Sequence, residues 1–354
     1  DFKYDVPSGF LSICTKNLPE PAVKPVKNFN EVLYTGDGND DRSISVGFQP
    51  DIVWIKSLSN ATNHYWYDSI RGANYQLLPN DNAAEANTAD RMQAFESNGF
   101  QLGTSDEVNG SSRTYIAWNW KMPTTFSNNT NGSITSSGRV NSDAGMSIVS
   151  YTGNQTAGAT VGHGLSKAPE WILIKGRGNT GGWLMGHIDI TFNNSLVFNT
   201  TAANNDETEI FNDTAPSSTV FTLGSDTFGN KSGTMMAYCF HSVEGFSRFG
   251  KYNGNGSADG SFIYTGFSPM MVMAKSTART EWLRVYDSKR NPDNPADDTI
   301  ESNSGAEQTG AGVDIDILSN GFKLRSSDSG VNANGEDWIY MAFAEVPLKY
   351  ANAR

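Results

Sequence analysis

Two carboxylates separated by a single residue are the arrangement in this chain that comes closest to a catalytic pair. Asp314 and Asp316 alternate with apolar residues, so both lie on one face of a predicted strand. Sandwich-fold glycosidases present their catalytic acids in this way. Those enzymes need a further acid on the same face, and Leu318 stands next in the alternation instead. The alternation is also typical of any half-exposed strand, so we predict no catalytic residue here and keep a polysaccharide depolymerase as the weaker alternative.

A run of oxygen-bearing side chains near the N-terminal part of the chain resembles the start of a calcium-binding loop. It spans residues 37–41, Asp-Gly-Asn-Asp-Asp. An EF-hand needs glycine at position six and glutamate at position twelve, where this chain has Arg42 and Phe48. The EF-hand interpretation therefore fails. A calcium site of another kind stays open, but we predict no metal site and no cofactor.

The remaining reactive side chains offer no catalytic motif. Three lysines each end a short apolar run, and such a lysine usually extends its amine to solvent, so we expect structural roles and no Schiff-base chemistry. The four histidines stand outside nucleophile and zinc-protease motifs, and the two cysteines have neither disulfide nor metal-ligand spacing, so we interpret both as small hydrophobes. These residues are Lys56, Lys175 and Lys275; His64, His163, His187 and His241; Cys14 and Cys239.

The three lysines belong to a pattern that occurs three times. Each copy has a Tyr, a Gly-rich turn, an apolar run ending in Lys, then Trp and Asp. The separations are 22, 24 and 23 residues from Tyr to Lys, and 12, 14 and 12 from Lys to Asp. Such repetition indicates a repeated folding unit. In the three copies the pattern begins at Tyr34, Tyr151 and Tyr252 and reaches Asp68, Asp189 and Asp287. Each copy then closes with a Gly-Phe-x-Leu element or a variant of it, a turn that contains Asn and Gly, and a final apolar strand. The turns are Asn109-Gly110, Asn230 to Gly233 and Asn334-Gly335.

The recurring tryptophans Trp66, Trp183 and Trp282 invite a functional interpretation. Exposed indole rings would stack on sugar rings. A position that recurs in every copy is better explained by the folding of each unit, so we expect core aromatics. In copies one and three an Arg follows the Asp by three residues, and we expect a local structural ion pair that copy two lacks.

Composition restricts the fold and the partners. The chain has 354 residues, 35 Gly, 13 Pro, 18% charged residues and a net charge of −12. Polar stretches rich in Asn, Ser, Thr and Gly favour turns and strands over helices. No basic cluster is present to neutralise phosphates, and no apolar run approaches the 18–20 residues that cross a bilayer. We predict an all-β fold, no nucleic-acid partner and no membrane insertion.

The repeats define the predicted domain organisation. We expect three antiparallel β-sandwiches in series, with continuous apolar runs such as residues 52–55 forming strands buried on both faces. Residues 83–95 could add one surface turn or a short helix. The predicted segments are a Pro-rich strap from a missing upstream domain (1–30), repeat 1 (31–122), a Ser/Asn/Gly-rich linker (123–145), repeat 2 (146–243) and repeat 3 (244–354).

Longer phrases give the sequence a family resemblance. It resembles the tandem β-sandwich repeats of tail-fibre-like structural proteins of tailed bacteriophages, especially marine ones, over nearly the whole chain. The opening is similar to the segment that in that family often follows a SPRY-like domain. The phrases are residues 47–56 (GFQPDIVWIK), 68–72 (DSIRG), 115–121 (YIAWNWK), 318–325 (LSNGFKLR) and 340–347 (YMAFAEVP), with 7–10 (PSGF) and 15–19 (TKNLP) in the opening.

The resemblance implies a concanavalin-like sandwich fold and a non-enzymatic role in the virion. It implies a tail-fibre or capsid-fibre protein exposed on the particle surface, with other virion proteins as partners and a homotrimer as the favoured oligomer. Contact with a host-surface glycan is implied as well, and a carbohydrate-binding receptor-recognition module is the principal alternative function.

Overall fold

The structure is a computed structural model that describes residues 22–206, 208–225 and 228–347. Most of the predicted strap, with Cys14 and the SPRY-like opening, lies outside the described residues. The strands pair antiparallel, and helices are restricted to single turns, so the predicted all-β fold is confirmed. In the part of the chain that the structure describes, the short helical elements are α1 (Asp106–Asn109), α2 (Thr208–Phe211), α3 (Ser329–Asn332) and two 3-10 turns (Pro25–Lys27 and Ile188–Ile190).

Copy one forms a four-stranded sheet in the order β1-β9-β3-β4, covered by a three-stranded sheet in the order β2-β8-β7. A two-stranded ribbon, β5-β6, lies beside them. The strands are β1 (Phe29–Thr35), β2 (Arg42–Ser45), β3 (Ile52–Ser57), β4 (Tyr65–Asp68), β5 (Tyr75–Gln76), β6 (Ala86–Asn87), β7 (Met92–Glu96), β8 (Gly99–Leu102) and β9 (Thr114–Trp120).

Copy two repeats this arrangement and extends its main sheet at both edges. The order is β10-β11-β12-β19-β14-β15-β16-β17, with β13-β18 as the covering pair. The strands are β10 (Thr124–Asn129), β11 (Ser136–Asn141), β12 (Met146–Gly153), β13 (Ala159–Gly162), β14 (Trp171–Gly176), β15 (Leu184–His187), β16 (Asn194–Val197), β17 (Asn205–Asp206), β18 (Val220–Leu223) and β19 (Gly233–Phe240).

Copy three joins its two layers into one curved sheet of eight strands. Its order is β20-β27-β22-β23-β24-β25-β26-β21. The strands are β20 (Ser247–Asn253), β21 (Phe262–Tyr264), β22 (Phe267–Ser276), β23 (Arg284–Asp287), β24 (Ala296–Glu301), β25 (Thr309–Leu318), β26 (Gly321–Leu324) and β27 (Asp337–Pro347).

The same four strands lie in the same order in each copy, and both faces of the lysine-bearing strand are buried, as predicted. Side chains of β3 alternate between two cores because successive residues of a strand point to opposite faces. Ile52 and Trp54 enter a core shared by all three copies, whereas Val53 and Ile55 enter the core of copy one alone. Strands β14 and β22 show the same alternation.

The shared core is the main architectural difference from a simple row of sandwiches. Trp66 of copy one contacts Trp183 and Tyr238 of copy two, with ring centroids 5.8 and 5.1 Å apart. Trp120 contacts Phe343 of copy three at 5.8 Å. The apolar face that each main sheet turns away from its own sandwich is thus buried against the other two copies.

Two segments differ from the secondary structure that their composition suggests. Residues 123–145 join copies one and two, but they are not irregular, because β10 within them pairs with β11, and β11 pairs with β12. Residues 83–95 contain no helix, so of the two predicted alternatives only the turn is present, at residues 89–90. Their ends are recruited as strands β6 and β7 by pairing with β5 and β8, and this pairing outweighs the local helical propensity.

Candidate functional site

The three repeated lysines lie in cages of main-chain carbonyl oxygens. Lys175 Nζ donates to Gly181 O at 2.7 Å, to Asn82 O at 3.1 Å and to Asn179 O at 3.4 Å. Lys275 and Lys56 make three such contacts each, at 2.5–3.4 Å and 3.1–3.5 Å. All three side chains are buried, so the expectation that they reach solvent is wrong.

Each lysine cage includes a carbonyl of a neighbouring copy. Lys175 of copy two contacts Asn82 of copy one, and Lys275 of copy three contacts Thr201 of copy two at 2.8 Å. Lys56 of copy one contacts Gly305 of copy three at 3.5 Å, which closes the cycle. The lysines therefore connect the three copies in a ring.

The charge state of the lysines suits this arrangement. Burial lowers the pKa of Lys56, Lys175 and Lys275 to about 8. At pH 7 the ammonium form still predominates, and its three donors match three acceptor oxygens. A lysine held in this way has no free electron pair for attack on a carbonyl, so the geometry agrees with a structural role.

The expected aspartate–arginine pairs are present in copies one and three. Arg71 Nε lies 2.5 Å from Asp68 Oδ2, and Arg290 Nε lies 2.6 Å from Asp287 Oδ2, all with buried side chains. Tyr238 of copy two also donates to Asp68, at 2.7 Å. The ion pair of copy one thus supports the junction between copies one and two.

Strand register corrects the alignment of copy two. Ile52 pairs with Asp68 and Met271 pairs with Asp287, whereas Trp171 pairs with His187. The position equivalent to the two aspartates is therefore His187 and not Asp189. Asp189 is about one-quarter exposed and lies on the 3-10 turn that follows, and burial raises its pKa.

The three tryptophans are not equivalent either. Trp66 and Trp183 are buried in the shared core, as expected, but Trp282 is 37% exposed, so its prediction as a core residue is wrong. Trp54 pairs with Trp66 and Met273 pairs with Val285, which makes Val285 the counterpart of Trp66 in copy three. Leu283 fills the shared core beside it.

The acidic loop 37–41 is organised by a buried asparagine. Asn109 Oδ1 accepts from the Asp37 amide at 3.2 Å, and Asn109 Nδ2 donates to Asn39 O at 2.9 Å. Asn230 and Asn332 hold the corresponding loops of copies two and three in the same way. Asn332, not Asn334, is thus the repeated residue. The described residues contain no group of three or more His, Cys, Asp or Glu side chains that could hold a metal ion.

The paired carboxylates lie on the outward side of their strand. Asp314 and Asp316 are half-buried on β25, while Val313 and Ile315, which alternate with them, enter the core of copy three. Asp316 Oδ2 lies 3.4 Å from Arg325 Nε. Burial, with Asp297 and Asp316 nearby, raises the pKa of Asp314. One member of the pair is therefore engaged in an ion pair.

The histidines and Cys239 serve packing. His64 Nδ1 accepts from Trp54 Nε1 at 3.0 Å, and its Nε2 lies 3.0 Å from Ser304 O of copy three. Burial lowers the pKa of His187 to about 3 and of His163 to about 4, and it lowers those of His64 and His241 as well. Cys239 is a buried free thiol in the core of copy two.

A groove of about 730 Å³ lies along the edge of β20, between copies two and three. Its lining includes the charged residues Glu170, Asp189, Arg248 and Lys251. The exposed rings of Phe262 and Tyr264, on β21, also line it, as does the half-exposed Ile188 of copy two, whose amide donates to Glu170 O. The groove combines apolar surface with charges of both signs, which suits the binding of another molecule.

The aromatic pair is specific to copy three. Ile44, Val161 and Ile263 occupy equivalent positions, since each lies opposite the Phe of a Gly-Phe-x-Leu element or its copy-two variant. The residues that flank Ile263 are Phe262 and Tyr264, 45% and 57% exposed, whereas the flanking residues in the other copies are Ser43 and Ser45, and Thr160 and Gly162. The sequence signal for this site was thus a deviation from the repeat.

Comparison with known proteins identifies a family for this chain but no function. A family model described as a domain of unknown function, DUF7483, matches residues 24–347. No curated protein and no solved structure matches the chain. Within the described residues, the helices are too short and polar to cross a membrane.

Proposed function

We propose that this chain, which belongs to the DUF7483 family, is a non-enzymatic structural module of a bacteriophage virion. It would form part of a tail fibre or capsid fibre, on the particle surface, and contact the host there. The sequence resemblance supplies the virion context. The structural support is that the recurring reactive side chains serve folding and the joining of copies.

The lysine cages are the observation that carries the structural role. Lys56, Lys175 and Lys275 each tie one copy to the main chain of another, and the shared core buries the remaining face of every main sheet. Close packing of this kind makes a stiff body. A stiff, closed body suits a fibre component that must transmit force and hold its neighbours at fixed positions.

The non-enzymatic role is tested by incubating the purified chain with polysaccharide of the host surface. We expect no release of reducing ends. The Asp314→Asn/Asp316→Asn variant is the matched control, because any hydrolysis that depends on the outward pair on β25 would be lost in it. Reducing ends that appear with the native chain and not with the variant would contradict the proposal.

Virion location is tested on particles. Mass spectrometry should detect the chain in particles purified by density gradient, and imaging should place it in a surface fibre. Its absence from purified particles would contradict the proposal.

We propose two alternatives for the oligomeric state. A homotrimer, favoured by the family resemblance, would sediment at three times 38.4 kDa. The cyclic contacts within one chain offer a second form, a monomer whose three copies match the threefold symmetry of a fibre. Analytical ultracentrifugation distinguishes the two masses.

A further inference from the structure

Among the residues that the structure describes, a further strand covers this edge of the main sheet in copy two, whereas no strand covers it in copy three. Met146, the first residue of β12, lies opposite Phe240, and Ser247, the first residue of β20, lies opposite the equivalent Phe343. Strand β12 is covered by β11 over its whole pairing register, from Asn141 to Ser136. Strand β20 ends its sheet, and the 730 Å³ groove runs along that edge.

The chain itself bonds part of the outward edge of β20, because Ser247 pairs with Val243 and the Phe249 amide donates to Ser242 Oγ at 3.0 Å. The stretch of β20 around Lys251 is the part that faces the groove. Phe246 O accepts from Ala344 N at 2.8 Å, and Gly254 N donates to Glu336 O at 2.9 Å. Because hydrogen-bonded residues alternate along an antiparallel edge strand, Lys251 directs its amide and carbonyl away from β27. Such an edge is a template for another strand.

In copy two, a segment of the same chain contacts the positions that the two exposed rings hold in copy three. Thr160 donates its amide to Ser133 Oγ at 2.9 Å and accepts from the Ile134 amide at 2.9 Å. A Cβ on Gly162 would lie 2.5 Å from the Asn129 side chain. Residues 129–134, from the last residue of β10 to the turn before β11, thus contact Thr160 and Gly162, the positions that in copy three are Phe262 and Tyr264.

The strand that covers the edge in copy two also makes an ion pair with a neighbouring copy. Arg139 of β11 forms an ion pair with Asp51 of copy one, with Nε 2.9 Å from Oδ1. Glu170 is the counterpart of Asp51, because each immediately precedes the lysine-bearing strand of its copy. In the groove Glu170 accepts from Ser242 and lies near Asp189, and Arg248 and Lys251 also line it. Because Asp51 binds Arg139 at the equivalent place, we expect a basic side chain of the occupant beside Glu170.

We propose that this groove binds an extended segment of another polypeptide, which adds as a strand to β20 and places a basic side chain near Glu170 and Asp189. The rings of Phe262 and Tyr264 cover the far side of that segment. Main-chain hydrogen bonds then supply affinity and the side-chain contacts supply specificity. This proposal goes beyond the proposed function and holds whether or not the chain belongs to a virion.

The test uses a fluorescent peptide with the sequence of residues 124–141, the segment that occupies copy two, and the intact protein. We expect saturable binding by fluorescence anisotropy, with slowed hydrogen exchange at the Lys251 amide. Lys251→Pro removes an outward donor without removing a β20–β27 hydrogen bond, and Tyr264→Ser removes a ring. Each should weaken binding at least tenfold, as should Arg139→Glu in the peptide.

Leu33→Pro is the matched control, since Leu33 is the equivalent position of β1 in copy one, where Ser43 and Ser45 replace the aromatic pair. It should leave peptide binding unchanged. Absence of saturable binding, or equal binding to the native protein and both copy-three variants, would overturn the proposal. Exposed rings also suit a sugar site. The proposal would therefore also be overturned if the peptide failed to bind while the native protein, but not the Tyr264→Ser variant, bound to a glycan array.

Discussion

The Lys175 ammonium of copy two lies 3.1 Å from the main-chain oxygen of Asn82 in copy one. The Gly181 amide donates to that same oxygen at 2.8 Å, and the Glu85 amide of copy one donates to Arg177 O at 2.7 Å. The junction of copies two and three repeats this pattern through Thr201 and Asn204, which accept from and donate to copy three. The copies are therefore joined by repeated main-chain contacts in addition to apolar packing.

Lys175→Met should destabilise the protein by about 2–4 kcal/mol, because it leaves buried carbonyl oxygens without a donor. Urea denaturation monitored by tryptophan fluorescence measures the change. Lys251→Met is the control, since Lys251 has a half-exposed side chain, and its cost should stay below about 1 kcal/mol. Equal losses in the two variants would contradict the importance of the cage.

Trp54→Ala should cost about 3–5 kcal/mol, because the ring is fully buried in the shared core and its indole nitrogen donates to His64. Trp282→Ala removes the same side chain from a position that is 37% exposed and should cost less than about 1 kcal/mol. Thermal unfolding of both variants provides the comparison. If the two melting temperatures fell equally, the assignment of the shared core would be wrong.

The shared core predicts that the three copies unfold together. Trp66, Tyr238 and Phe343 belong to different copies and to one buried cluster, so the loss of one copy exposes apolar surface on the others. Differential scanning calorimetry should show one transition with equal calorimetric and van't Hoff enthalpies. Separate transitions, or a stable isolated copy two, would show that the copies are independent.

The sequence was sufficient for the strand class and for the buried lysine-bearing strands, because repetition and continuous apolar runs report them directly. Runs such as residues 52–55 do not reveal that one face belongs to a neighbouring copy. Lys56 appeared to end a strand at solvent because the carbonyl of Gly305, nearly 250 residues away, cannot be inferred from local pattern.

The candidate groove was harder to predict. The repeated pattern made Trp66, Trp183 and Trp282 the obvious candidates for a site. Phe262 and Tyr264 differ from the repeat, and only the strand register shows that they occupy equivalent positions to smaller residues of the other copies. The alignment of Asp189 with Asp68 and Asp287 was wrong for the same reason. Spacing along the chain favoured Asp189, whereas strand pairing places His187 at the equivalent position. Register is a long-range property, and separation along the chain does not fix it.

Acid should destabilise the protein through its buried histidines. The pKa of His163 is lowered to about 4 in the folded chain, against about 6.5 when unfolded, so the unfolded chain binds the proton first as pH falls. The stabilisation is present above pH 6.5 and is lost between 6.5 and 4, at about 1.4 kcal/mol per pH unit. Glu31, whose pKa is raised by burial and by Asp287, opposes this trend, so the comparison must isolate the histidine. His163→Gln should flatten the pH dependence of the unfolding free energy between pH 7 and 5, measured by urea denaturation. An unchanged slope would mean that His163 takes up its proton as readily in the folded protein as in the unfolded chain.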